Sequence, residues 1–172
     1  NLDANKSMLA AGKLSVENGA HIVTQQFLDS FLILSGSGIT FGLVVAMLFA
    51  AKSKQYKALG KVAAFPAIFN VNEPVVFGFP IVMNPVMFLP FIIVPILAAI
   101  IVYTSIAIGF MHPFSGVTLP WSTPAIISGF MVGGWQGAFV QVLVLATSTV
   151  VYFPFFKFQD NLAYNNELQA EK

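Results

Sequence analysis

The sequence carries almost no charge over more than half of its length. Between Val62 and Phe156 there is no lysine, arginine or aspartate, and Glu73 is the single charged residue. Of the 172 residues of the whole chain, 57% are hydrophobic and only 9% are charged, whereas soluble domains carry about 25% charged residues. This composition excludes an ordinary soluble domain and predicts a polytopic membrane protein, or a large piece of one, in contact with lipid.

Cysteine is absent altogether. Without it the chain contains no disulfide framework, no thiolate metal site and no catalytic thiol. The two histidines, His21 and His112, have no metal-ligand spacing, so neither a metal nor a cofactor is expected. A net charge of +1 gives no indication of nucleic-acid binding, and no nucleic-acid partner is expected.

Glu73 lies in the middle of this uncharged region. A charged side chain at the centre of a bilayer costs roughly 2.5 kcal/mol or more even on insertion scales. A lone acid in such a segment therefore indicates a functional site that faces the protein interior or a water-filled cavity. The alternative is a buried structural glutamate that pairs with a distant lysine.

Prolines and a glycine interrupt residues 66–82 on both sides of Glu73. Pro74 disfavours helical backbone at Glu73 and favours an extended conformation there. The pattern predicts a re-entrant hairpin of two short half-helices, because broken backbone at membrane depth is tolerated where it lines a cavity. Asn70 and Asn72 would add amide groups beside the carboxylate.

The remaining apolar segments predict spanning helices. Residues 30–51 contain no charge until the lysines that follow, and they are long enough to cross a bilayer. Residues 81–111 are almost as apolar, but three prolines predict irregular backbone in their first half, with regular helix only from Ile96. Residues 125–157 predict a break at a glycine pair and then a last span.

Polar segments divide the chain into three parts. Residues 1–19 are expected to be a loop or the end of an upstream element, residues 20–157 a membrane-embedded domain, and residues 158–172 a frayed polar tail. Near the start of the domain, Asp29 either ends a solvated helix or lines a polar pathway. Four lysines follow the first span and mark a cytoplasmic loop, with docking of an acidic partner as a second interpretation. They are Lys52, Lys54, Lys57 and Lys61.

Trp121 lies in a second irregular segment, residues 112–124, which contains three prolines. Tryptophan in membrane chains most often anchors at the lipid–water interface. Its ring is also a flat apolar surface on which the C–H face of a sugar can stack, and Ser122 and Thr123 beside it supply hydroxyl groups. Both interpretations of Trp121 stay open at this point.

Six segments of the sequence resemble one known family. In order they are FLDSF (27–31), GSG (36–38), AKSKQYKALGK (51–61), FNVNEPVVFGFPIVMNP (69–85), PWSTPAIISGF (120–130) and YFPFFK (152–157). Their order and spacing resemble the membrane-embedded IIC component of bacterial phosphotransferase-system sugar permeases of the lactose, cellobiose and diacetylchitobiose class. The resemblance covers residues 20–157.

This resemblance implies an all-α membrane protein with transmembrane helices plus a re-entrant hairpin, homodimeric in its full-length form in the bacterial plasma membrane. The chain would be an internal fragment, most of the C-terminal substrate-binding half, and a family histidine would lie upstream of Asn1 in the missing N-terminal half. In the family, the Glu of the NEP motif contacts the sugar hydroxyl that receives phosphate. The residues that match are Glu73, the neighbouring Asn72 and Trp121 of the proline-rich loop, and all three are expected to bind substrate.

The function implied by the resemblance is translocation and phosphorylation of a β-linked disaccharide of the cellobiose, chitobiose or lactose type. A phosphocysteine on a separate soluble IIB component would donate the phosphoryl group to the 6-hydroxyl, with Glu73 as general base. The chain is then one part of a phosphotransferase complex and is not expected to act alone. The alternative function is a proton-coupled secondary sugar transporter in which Glu73 is the coupling acid.

Overall fold

The computed structural model describes residues 1–114, 116 and 119–170. Within these ranges every regular element is helical, and no β-strand occurs. The all-α prediction is therefore confirmed. The α-helices are α1 (Leu2–Ala10), α2 (Gln25–Phe27), α3 (Phe41–Ala50), α4 (Lys54–Ile68), α5 (Glu73–Gly78), α6 (Pro85–Ala107) and α7 (Ile127–Ala170). Two 3₁₀ turns (Val16–Asn18 and Ile81–Met83) and a π-helical segment (Leu28–Leu32) complete the set.

Two of the described helices, α6 and α7, are long and apolar enough to cross a membrane. In α6 the prediction of an irregular first half was wrong, because the helix is regular from Pro85 onward. Pro85 occupies the first turn, where a missing N–H costs nothing, and the Asn84 side chain accepts bonds from the backbone N–H groups of Val86 and Met87 at 3.1 and 3.4 Å. Pro90 lies inside this continuous helix.

The predicted span over residues 30–51 is also wrong as a single helix. The chain leaves the π-helical segment Leu28–Leu32, makes a series of turns over residues 33–40, and forms only the ten-residue α3. Gly36 and Gly38 have φ of 82° and 78°, a left-handed conformation that ends helices and that glycine adopts without strain. At 1.5 Å per residue, α3 extends about 15 Å, which is half of the hydrocarbon thickness.

Helix α3 packs against α7 by direct backbone contact. A Cβ at Gly42 would overlap the main chain of Ser148 and Thr149, so the two helices approach without an intervening side chain. The buried Ser148 hydroxyl donates to the Ile39 carbonyl at 2.6 Å and accepts from the Gly42 N–H at 3.2 Å. These two bonds attach the start of α3 to the middle of α7.

Residues 158–170 belong to α7 and are not the frayed tail that the sequence predicted for residues 158–172. The predicted glycine break is present at Gly134 (φ 64°, ψ −157°), but the helix then continues to Ala170. Asp160 is fully buried and accepts backbone bonds from Lys52 and Ser53 at 2.8 and 3.0 Å. Glu167 accepts two more, from the N–H groups of Lys54 and Gln55 at 3.0 and 3.1 Å. The polar end of α7 is ordered because its two acids cap the N-terminus of α4, where carboxylates are stabilised.

Residues 2–10 form helix α1. Of the two expectations for residues 1–19, a loop does not hold for this part, and the end of an upstream element stays a prediction. The buried Asn5 side chain fixes this helix. It donates to the carbonyls of His21 and Phe114 at 2.8 and 2.9 Å and accepts from the His21 N–H at 2.8 Å.

Candidate functional site

Glu73 is the first residue of the six-residue helix α5. The expectation that Pro74 would hold Glu73 in an extended conformation was wrong, because proline fits the first turn of a helix. The break in the chain lies just before, between the end of α4 at Ile68 and the start of α5. Asn70 has a positive φ of 63° at this break, which asparagine tolerates better than most residues.

The carboxylate of Glu73 is exposed and makes no hydrogen bond or ion pair with any residue in the described part of the chain. Within that part, the alternative of a buried glutamate paired with a distant lysine does not hold. A first-turn position gives the carboxylate favourable contact with the positive end of the helix. Glu73 is thus fixed at its backbone while its side chain is available to a ligand.

Asn72, the residue before Glu73, is buried. It is hydrogen-bonded to the turns of residues 33–40, which contain Gly36 and Gly38 and are called the glycine-rich turn below. Its Nδ2 donates to the Ser37 carbonyl at 2.7 Å, and its own carbonyl accepts the first backbone bonds of α5, from Val75 and Val76 at 2.9 Å. The side chain lies directly over Gly36, where a Cβ would overlap the amide. Within the described residues no group donates to Asn72 Oδ1, so this oxygen stays available as an acceptor.

Asn70 joins three segments that are far apart in sequence. Its Oδ1 accepts from the Ser35 N–H at 2.6 Å, and its Nδ2 donates to the carbonyls of Trp121 and Thr123 at 2.7 and 2.9 Å. The sequence indicated only that Asn70 would lie near the carboxylate. Its role as the connection between the glycine-rich turn and the proline-rich loop had no sequence signal, because its partners lie 35 to 53 residues away.

Trp121 is held through its backbone carbonyl while its side chain is 70% exposed. It lines a small recess of about 20 Å³ together with Asp29, Asn70 and Ser128. Asn72 bonds directly to Ser37 of the glycine-rich turn. The loop that carries Trp121 is connected to Ser35 of the same turn through the Asn70 side chain. The predicted site residues lie on connected segments, although the carboxylate of Glu73 does not line the recess itself.

Other cavities contain none of the three predicted site residues. One of about 450 Å³ is lined by Leu9, His112 and Gly134 among others, and one of about 390 Å³ lies between the end of α7 and three lysines, Lys52 and the α4 residues Lys54 and Lys57. Among the described residues, no cluster of three or more histidine, aspartate or glutamate side chains has the arrangement of a metal site. The polar chemistry beside Asn70 and Asn72 is that of carboxylate, amide and hydroxyl groups.

Comparison with known proteins gives a consistent result. The family model described as "Phosphotransferase system, EIIC" matches residues 1–95. The chain is 44% identical over 172 residues to the lichenan permease IIC component of Bacillus subtilis (strain 168), a match that covers 99% of this chain and 37% of that protein. It is 42% identical over 142 residues to the cellobiose-specific EIIC component of Geobacillus stearothermophilus, covering 81% of this chain and 32% of that one.

A solved structure shares this fold. The transporter ChbC, the IIC component from the N,N'-diacetylchitobiose-specific phosphotransferase system, superposes with a TM-score of 0.89 at 38% identity and covers 96% of this chain. Only 38% of the ChbC chain is covered. The chain thus spans a little over a third of the length of ChbC and of the lichenan permease component.

Proposed function

Because the chain belongs to the EIIC family of the phosphotransferase system, we propose that it is the sugar-binding part of a disaccharide permease. The substrate is a β-linked disaccharide of the cellobiose, chitobiose or lactose type. Relatives whose names state cellobiose, diacetylchitobiose and lactose specificity support this class. The part of an EIIC chain that these 172 residues do not cover completes the permease.

The observation that carries this proposal is the exposed, unpaired carboxylate of Glu73 on a fixed backbone. Glu73 accepts a hydrogen bond from the 6-hydroxyl of the bound sugar. As that oxygen attacks the phosphorus of a phosphocysteine on the soluble IIB component, Glu73 takes the hydroxyl proton. The new O–P bond forms as the S–P bond breaks, and the cysteine leaves as a thiolate. Asn72 contacts the sugar through its free Oδ1, and Trp121 stacks on the sugar ring.

Residues 66–82 form a re-entrant hairpin in this proposal. The break before Glu73 supports it, as does the length of α5, whose six residues extend only about 9 Å. The hairpin belongs to a membrane-embedded domain of residues 20–157, preceded by residues 1–19 and followed by the polar segment 158–172. The full-length protein is a multi-pass homodimer in the bacterial plasma membrane, with Lys52 and the three lysines of α4 on the cytoplasmic side. The lysine segment that the sequence predicted as a loop is helical from Lys54 onward.

The test compares sugar binding with IIB-dependent phosphorylation in the full-length Glu73→Gln protein. The amide keeps the shape and one acceptor oxygen but cannot take a proton. Binding is expected to fall modestly, and phosphorylation to fall by a further factor of about 10²–10⁴. Glu17→Gln, an exposed acid outside the site, is the matched control and is expected to behave as wild type.

Two results would contradict the catalytic role of Glu73. Wild-type phosphorylation by the Gln protein would leave Glu73 as a structural acid. A Gln protein that still exchanges sugar down its gradient, but loses accumulation driven by a proton gradient, would indicate the proton-coupled transporter instead.

A further inference from the structure

We propose that the cavity of about 390 Å³ at the start of α4 binds the phosphate of an anionic phospholipid headgroup. Its lining includes Lys52, Lys54 and Lys57, together with Tyr164 of α7. From the sequence, these lysines indicated a cytoplasmic segment or the docking of an acidic partner. The inference goes beyond the proposed function, because it concerns the lipid around the permease and not the sugar.

The lining of this cavity has an excess of positive charge. The acid that lines it, Glu167, already accepts from the backbone N–H groups of Lys54 and Gln55 with its two carboxylate oxygens. Within the described residues, the exposed side chains of Lys52 and Lys57 form no ion pair. The cavity therefore suits an anionic ligand, and its volume lies in the range of roughly 300–1,000 Å³ that small-molecule sites occupy.

An exposed apolar strip on α7 leads from the membrane toward the cavity. Residues at helical spacing share one face of a helix, and this face of α7 carries Val150, Phe153, Lys157, Tyr164 and Leu168. Val150 and Phe153 are 72% and 43% exposed, while Tyr164 and Leu168 line the cavity itself. A cationic cavity at the end of an apolar strip matches a phospholipid, whose phosphate adjoins two acyl chains, better than it matches a soluble acidic protein.

Lys157 marks the level at which α7 leaves the hydrocarbon, because it is the first charged residue of that helix. Its Nζ donates to the carbonyl of Ala50, the last residue of α3, at 2.7 Å. Asp160, which accepts from the Lys52 N–H, follows three residues later, about 4.5 Å along the helix axis. The headgroup region extends about 5–7 Å beyond the hydrocarbon on each side of a bilayer. Lys52 is therefore at the depth of the lipid phosphates.

The experiment measures the affinity of the full-length protein, in neutral detergent, for dioleoylphosphatidylglycerol by native mass spectrometry. A lysine near an anionic lipid surface strengthens binding by a factor of about five. The double variant Lys52→Gln with Lys57→Gln should therefore bind this lipid about 25-fold more weakly. Replacing the same two lysines by arginine keeps the charge and should leave the affinity within twofold of wild type. The matched control, Lys6→Gln with Lys13→Gln, removes two exposed charges elsewhere and should also stay within twofold.

Two further probes separate the lipid from other anions. Dioleoylphosphatidylcholine has the same chains without net charge and should bind weakly to every variant. Glycerol 3-phosphate has the charge without the chains and should displace the lipid only at far higher concentration.

Four results would overturn the proposal. Wild-type lipid affinity in the Lys52 and Lys57 glutamine protein would exclude these lysines from the site. Equal losses in both glutamine double variants would reduce the effect to net charge. Displacement by glycerol 3-phosphate as readily as by the lipid would indicate a site for free phosphate. Loss of IIB binding with intact lipid binding would assign the cavity to the protein partner.

Discussion

Asn72 and Ser37 are joined by a 2.7 Å hydrogen bond from the Asn72 side-chain amide to the Ser37 carbonyl, across 35 residues of sequence. This bond fixes the residue immediately before Glu73 to the glycine-rich turn. The start of α5, and with it the backbone of Glu73, is thus held by a contact between Asn72 of the NEP sequence and a distant segment.

We expect Asn72→Asp to impair both stability and sugar binding. The carboxylate keeps the shape of the amide but offers no N–H to the Ser37 carbonyl, and an unsatisfied buried polar group costs about 1–3 kcal/mol. Thermal unfolding and sugar affinity of the full-length protein measure the effect. Asn165→Asp, which adds the same charge at an exposed position of α7, is the control. If the two variants are equivalent, the bond to Ser37 has no positioning role.

Trp121→Ala is expected to weaken disaccharide binding by well over twofold, because it removes the surface on which we propose that the sugar ring stacks. The chain contains one other tryptophan, Trp135, which is similarly exposed at 62% and contacts Phe110 edge-on at 5.7 Å. Trp135→Ala should leave affinity unchanged. Titration of both proteins with sugar gives the comparison. Equal, small effects would assign Trp121 to the lipid interface.

Gln141→Ala should destabilise the fold. Gln141 Oε1 accepts from the N–H groups of Ile126 and Gly129 at 2.6 and 3.0 Å, and the alanine leaves both buried or half-buried donors without a partner. Each costs about 1–3 kcal/mol. The midpoint of thermal unfolding in detergent should fall clearly, whereas the exposed Gln169→Ala control should not change it. Equal midpoints would contradict this role.

The lysines at the start of α4 should be inaccessible from outside the cell. A cysteine at Lys57, in a full-length protein without other cysteines, should react with an impermeant thiol reagent only after the membrane is opened. Glu17 lines a cavity with Ile108, the residue that follows the C-terminal end of α6. We expect this end of α6 to face the outside, so a cysteine at Glu17 is expected to be labelled in intact cells. Ready external labelling at Lys57 would reverse the proposed topology.

The sequence alone was sufficient for the features that depend on local chemistry. The absence of charge predicted membrane helices, the breakers around Glu73 predicted interrupted backbone, and the glycine pair predicted the break at Gly134. Each of these follows from a residue's own conformational or solvation preference. The assignment of Glu73, Asn72 and Trp121 to a sugar site came from the family resemblance and stays a prediction.

Features that depend on distant partners could not be predicted in this way. The polar end of α7 resembles a frayed tail until Asp160 meets the backbone of Lys52 and Ser53, more than 100 residues earlier. The three prolines of α6 resemble breakers until Pro85 is seen to begin the helix. Asn70 resembles a site residue until its amide is found to be committed to Trp121 and Thr123. For Asp160 and Asn70 a tertiary contact overrides the local preference, whereas the start of α6 at Pro85 is a local feature that the sequence interpretation missed.

At Gly42 the backbone of α3 contacts the main chain of Ser148 on α7, with no side chain between them. Packed side chains can shift by changing rotamer. These two backbones can separate only if the two bonds of the Ser148 hydroxyl are broken. The bond from the Tyr152 hydroxyl to the Gly38 carbonyl, at 2.8 Å, must break as well. If the chain acts in the permease proposed above, α3 and the adjoining part of α7 should therefore move as one rigid body during transport. The glycine-rich turn before α3 should move with that body and carry Asn72 along. Any reorientation of the Glu73 carboxylate would in this way be coupled to reorientation of α7.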